Sequence, residues 1–179
     1  MTWMEWVGVA LVVAAISSTL YGVAQSVKTE TARTSRMVET SQYTIPMNWK
    51  AGVYGGLIAG LVFGIMMGMM GMLGMVAKVV GSDSVIVGFV YHMFNSAVIG
   101  ALFVPLYGRL SPDKGRGLAF GIIYGLIWWF LGPLILMPLF LGMGIRLSVE
   151  GMSMAFPSLP GHLIFGGILG ILYSVFAKK

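Results

Sequence analysis

The chain contains no cysteine and little charge: eleven basic residues, six acidic ones and two histidines in 179. The missing thiols exclude disulfides, cysteine-held iron–sulfur clusters, thiolate zinc sites and covalently attached c-type haem. The shortage of carboxylates excludes more. There is no HExxH, paired-carboxylate, phosphate-loop or nucleophile-elbow pattern. No Asp or Glu falls in the core of an apolar run, which argues against ion pumping through acidic relays. No enzyme template is visible, and a non-catalytic protein is expected.

Long apolar runs are abundant. With 58% hydrophobic and only 9% charged residues, the composition is not that of a soluble domain. A hydrocarbon core of roughly 30 Å needs about 20 apolar residues per helix. Five segments approach that length: Trp3–Val23, Gly52–Val79, Val85–Tyr107, Gly117–Met143 and Pro160–Ala177. The reading is an all-α, multi-pass membrane protein of five transmembrane helices, divided into an N-terminal helix (residues 1–25), a polar linker (26–49) and a four-helix bundle (50–179).

The charges report topology. Lys28, Arg33, Arg36, Lys50, Arg109, Lys114, Arg116, Lys178 and Lys179 all fall on one side of a five-span chain, and only Lys78 and Arg146 fall opposite. The positive-inside rule then places the N-terminus outside and the C-terminus in the cytoplasm. A basic rim also attracts anionic lipid headgroups, as expected of any inserted protein. Nothing points to nucleic acid as a partner. The first run lacks the positively charged flank of a secretion signal, since the opening Met-Thr-Trp-Met-Glu-Trp carries no cation and the cations follow the run, so it reads as a retained helix. It is either an anchor on the bundle edge or a docking helix through which Trp3–Val23 meets another membrane subunit.

Within the bundle one pattern occurs twice. Gly52, Gly56 and Gly60 recur at the same spacing as Gly117, Gly121 and Gly125, and the series His92, Ser96 and Gly100 recurs as His162, Gly166 and Gly170. The first series continues through Gly64 and Gly68. Glycines four apart share one helix face and let backbones approach in lipid, where packing replaces the hydrophobic effect. The expected architecture is a tandem-duplicated two-helix hairpin (repeats 50–108 and 115–177) about a pseudo-two-fold axis along the membrane normal, as in transporters with parallel repeats. The seams are expected to pack within one chain. Pro133 and Pro138 predict a kink in the fourth span. The apolar connection from Gly144 to Pro160 is expected to lie in the interface or to fold back over the bundle.

The two histidines are the best chemical handle. His92 stands upstream of Arg109 by almost the same interval that separates His162 from Lys178. At about 1.5 Å per residue both sit about 25 Å from the inner charges, just below the outer boundary. Each heads a small-residue seam, so both rings should point inward, with Asn95 and Ser96 close to His92. Three uses fit such a pair: interhelical hydrogen bonding, a proton or solute site, or ligation of one b-type haem between the repeats. No cofactor is expected, with haem b as the alternative. Met66-x3-Met70 can present two thioethers to Cu(I). Copper-uptake channels pair that spacing with an outer Met/His-rich segment, which this chain lacks, so adaptable packing is the better reading.

From Tyr91 onward the chain resembles small prokaryotic inner-membrane proteins of the YagU-like type. The shared features are Tyr91-His92-Met93-Phe94, Lys114-Gly115-Arg116-Gly117, Met137-Pro138-Leu139 and Pro160-Gly161-His162-Leu163. The resemblance implies a prokaryotic cytoplasmic membrane and no assigned activity. The extra first helix departs from it. The function expected is an accessory or structural subunit of a membrane complex. The alternatives are a haem b or quinone-proximal electron-transfer subunit using His92 and His162, and a small proton or solute transporter.

Overall fold

The computed structural model describes residues 25–26 and 47–178. The chain divides into two units, Met1–Thr44 and Ile45–Lys179. Only Gln25 and Ser26 are described in the first, both helical and exposed. The expected span Trp3–Val23 and nearly all of the linker lie outside the described residues.

The second unit is helical, with no strand among the described residues. Its helices are α1 (Trp49–Met69), α2 (Leu73–Lys78), α3 (Val85–Tyr107), α4 (Lys114–Leu131), α5 (Met137–Phe140), α6 (Val149–Ala155) and α7 (Leu159–Phe176). Four stretches are long and apolar enough to cross a membrane: Trp49–Met69, Val85–Leu110, Lys114–Phe140 and Val149–Phe176. Side chains fix several helix starts. Asn48 Oδ1 accepts from the Ala51 amide at 3.0 Å, Asp113 Oδ1 from Arg116 at 3.0 Å and Ser148 Oγ from Gly151 at 3.2 Å. Each satisfies a donor that the first helical turn would leave unpaired.

Polarity does not separate the buried face from the exposed one in these helices; residue size does. On α1 the buried positions are Ala51, Gly52, Gly55, Gly56, Ala59, Gly60, Phe63 and Gly64, while Tyr54, Ile58, Leu61, Val62 and Ile65 are exposed. Lipid solvates the large apolar side chains as well as protein does, so helices associate where small residues allow contact.

One of the expected spans is corrected, and a second departs locally from α geometry. Gly52–Val79 is not one helix: α1 ends at Met69, and Gly71 (φ +70°) turns the chain into the short α2. A left-handed backbone suits glycine, and it ends the α1 hydrogen-bond ladder. The span expected over Gly117–Met143 runs unbroken as Lys114–Phe140 but takes π-helical form at Gly132–Leu136, where the prolines predict a disturbance. Pro133 and Pro138 lack amide hydrogens, and the Leu134 carbonyl accepts from the Arg146 amide at 2.9 Å. The connection after α5 folds back: Trp129, Leu134 and Ala155 form a small buried cluster, with Leu147, Met152 and Leu159 against it.

Helices α1 and α7 pack at the centre, with α3 against α1 and α4 against α7. Lys50, Arg109, Lys114, Arg116 and Lys178 lie at one end of this bundle; both histidines lie toward the other.

Candidate functional site: the paired histidines

The glycine seams position the histidines. A β-carbon on Gly52 would strike the Gly100 carbonyl, and one on Gly56 the Ser96 carbonyl; one on Gly60 would strike the Ser96 side chain. On the second pair of helices, Gly117 meets Gly170, Gly121 meets Gly166 and Gly125 meets the His162 carbonyl in the same way. Both seams are intrachain. Gly64 extends the first seam to Phe89 and His92, whereas Gly68 is exposed and has only Leu73 in ordinary contact.

His92 is buried in α3, and its Nε2 lies 2.9 Å from the Gly60 carbonyl on α1. A carbonyl only accepts, so Nε2 carries the hydrogen. Ser96 Oγ donates to the His92 carbonyl at 2.8 Å and lies 3.5 Å from Nε2, joining the site as its seam position predicts. His162, half-buried in the first turn of α7, uses its other nitrogen: Nδ1–H donates to the Ser158 carbonyl, four residues back, at 2.9 Å. In the neutral ring Nε2 is then a bare acceptor. It faces Gly132, the first residue of the π segment, where a β-carbon would sit 3.8 Å away. The equivalent positions therefore carry opposite tautomers, one locking two helices together and the other bonding within its own chain segment.

Phe63 stands between them. Its ring is edge-on to His92 with centroids 5.5 Å apart, and to His162 at 4.7 Å. It also lies against Gly161, whose hydrogen in place of a side chain makes the room. The sequence held a signal for this residue. Gly55, Ala59 and Phe63 form a second stripe on α1, beside the one at Gly52, and that stripe faces α7. Glycine spacing alone picks out only the first stripe, because the second is completed by an alanine and an aromatic ring.

Asn95 does not join the site. It lies on the flank of α3 shared with Tyr91 and Ile99, about 100° from Ser96, and is half-exposed. Among the described residues, none hydrogen-bonds its amide.

A buried relay closes the site at the histidine end. Trp129 Nε1 donates to the Ala155 carbonyl at 3.1 Å, and Ser158 Oγ donates to the same oxygen at 2.7 Å. The Ser158 carbonyl then accepts from His162. The fold-back α6 is thus tied to α4 and, through one turn, to the histidine.

Of the methionines, Met66 packs on the core and Met70 is exposed in the turn after α1. Among the described residues, no three His, Asp or Glu side chains converge as a metal site would require. The chain matches no known protein family, no curated protein and no solved structure.

Proposed function

We propose that this chain is a non-catalytic accessory or structural subunit of a larger complex in a prokaryotic cytoplasmic membrane. One observation carries the reading. Both histidines are bonded to backbone carbonyls, and the space between their rings is filled by Phe63. The His92 imidazole used this way holds α3 to α1, which is what polar groups in apolar bundles commonly do, while His162 is tied to its own chain segment. The matching seam contacts support a duplicated hairpin as the source of the bundle, and the basic end supports a cytoplasmic orientation for it. The YagU-like motifs are compatible with this assignment.

A b-type haem between the repeats would need both Nε2 atoms turned toward one iron. Here one of them is bonded to Gly60, and the aromatic ring occupies the gap. The fit is poor. The remaining feature that favours a different use is the bare Nε2 of His162, which a proton or solute site would exploit.

The test is spectroscopic and biochemical. The full chain, purified in mild detergent, should show no reduced α-band in the b-haem region, with or without dithionite, and should co-purify stoichiometrically with a membrane partner. A band lost in His92→Ala and His162→Ala would establish electron transfer instead. Histidine-dependent proton flux in liposomes would establish transport. Loss of the partner on deleting residues 1–26 would assign docking to the first span.

A further inference from the structure

Among the described residues, one buried side-chain polar atom lacks a hydrogen-bond partner: the hydroxyl oxygen of Tyr173. The residue is fully buried on α7, toward the basic end of the bundle. The Asn48 backbone amide faces that oxygen without meeting hydrogen-bond geometry. An amide nitrogen only donates, so the phenol hydrogen has no acceptor there. Gly108, just past α3, leaves the room the hydroxyl occupies, since a β-carbon at that position would strike it. A buried hydroxyl without a partner is a net cost that a phenyl ring avoids.

The duplication shows that packing alone does not call for this oxygen. Tyr173 follows His162 at the same interval as Phe103 follows His92. Both rings are fully buried, and they meet edge-on at 5.5 Å. Phe103 fills its place without a hydroxyl. A second departure from the repeat lies at the same corner. Asn48, the cap of α1, corresponds to Asp113, the cap of α4, at the spacing of the two glycine series. The Asp113 carboxylate is engaged by the amide and the guanidinium of Arg116. The α1 cap carries no charge. Lys50 and Arg109 adjoin the corner along the chain, both exposed, and Asp113 is the one acid at this end among the described residues. Both departures act in the same direction. One adds a donor and the other withholds a negative charge, at a helix start whose leading amides and dipole already favour an anion.

We propose that the corner formed by Asn48, Lys50, Gly108, Arg109 and Tyr173 binds a phosphate group. A bilayer offers one at this level, on the headgroup of an anionic lipid, and free phosphate has the same chemistry. A phosphate oxygen accepts from the Tyr173 hydroxyl and the leading amides of α1, while Lys50 and Arg109 balance its charge. Asn48 is half-buried, so the corner is entered from the headgroup layer, and the tyrosine hydroxyl forms its closed inner edge. A basic rim by itself holds any anionic lipid loosely. The buried donor makes this corner selective.

Two conservative variants test it. Tyr173→Phe keeps the ring and copies position 103; Asn48→Asp keeps the cap and copies position 113. In maltoside micelles, the full wild-type chain should retain one phosphatidylglycerol by native mass spectrometry and unfold at a higher temperature with it. Diacylglycerol, which lacks the phosphate, should do neither. Displacement of the lipid by millimolar inorganic phosphate would identify free phosphate as an occupant, and its failure to displace would identify the headgroup. Tyr173→Phe should hold phosphatidylglycerol about tenfold more weakly, yet unfold without lipid no more easily than wild type. Asn48→Asp should weaken binding at least as much. Lys114→Gln removes the same unit of net charge at the start of α4 and should change binding by less than about twofold. A wild type that retains phosphatidylglycerol no better than diacylglycerol overturns the proposal. So does Tyr173→Phe binding as tightly as wild type. Equal losses in Lys114→Gln and Asn48→Asp would also overturn it, because they would mean a rim-wide attraction. Neither the histidines nor a protein partner enters these measurements.

Discussion

Phe63 meets His162 at 4.7 Å between ring centroids, closer than its 5.5 Å approach to His92. The aromatic ring is the common support of two imidazoles on different helices, and its own bed is the bare backbone of Gly161. Three elements therefore depend on one side chain.

Phe63→Ala should be among the most damaging apolar truncations in the bundle. The ring is almost fully buried, and its loss leaves a cavity bounded by two imidazoles and a glycine that cannot fill it. The expected cost is about 3–5 kcal/mol, with Phe63→Leu recovering most of it. Unfolding by denaturant in detergent micelles measures both. A cost below about 1 kcal/mol for the alanine variant would mean that the ring is not packed between the histidines.

The two histidines should not be equivalent in stability. His92 bridges α3 to α1, whereas the His162 bond reaches back only four residues. Replacing His92 by Ala removes an interhelical bond and leaves the buried Gly60 carbonyl only the bond of its own helix, for about 2–3 kcal/mol. His162→Ala should cost about 1–2 kcal/mol, because its carbonyl partner lies in a local turn and the ring is only half-buried. Equal costs, compared by the same unfolding measurement, would contradict the asymmetry of the bonds.

The sequence made the four described spans legible because lipid-embedded helices announce themselves by length and apolarity. The glycine series then indicated which faces close up. The breaks were harder to place. Gly71 looks like any other glycine of a membrane helix, and only its positive φ turns α1 into α2. The prolines announced a disturbance but not its form, a π segment whose freed Leu134 carbonyl is satisfied from the loop. At the site, seam position correctly turned the histidines and Ser96 inward. It could not reveal that different ring nitrogens are used, since that depends on which carbonyl lies nearest. Asn95 is a near neighbour of His92 on α3, about 60° around the helix, yet the imidazole bonds to the Gly60 carbonyl across the seam, a choice that spacing along one helix does not reveal.

Seam glycines should separate from loose ones under the same substitution. Gly121→Ala drives a methyl group into the Gly166 carbonyl, and neither backbone can yield without parting α4 from α7. A loss of about 2 kcal/mol or more is expected. Gly74→Ala, within the short α2, meets nothing within 4 Å. By lowering the entropy of the unfolded chain it should be neutral or stabilising by up to about 1 kcal/mol. Thermal unfolding of the two single variants in one detergent distinguishes them, and similar midpoints would mean that α4 and α7 do not touch along that seam.

The fold-back segment should loosen in a graded way. Trp129→Phe keeps the ring but removes the donor to the Ala155 carbonyl, which still accepts from Ser158. The acceptor stays satisfied, so the cost should be only about 1 kcal/mol. That loss should appear locally, as about fivefold faster hydrogen exchange across residues 149–158 with little change in α1. Adding Ser158→Ala removes the second side-chain donor and leaves that carbonyl only the backbone bond of the Phe156–Ser158 turn, in a buried cluster. The double variant should then lose more than the sum of the single ones, by about 1 kcal/mol or more. Simple additivity would show that the two donors do not share one acceptor.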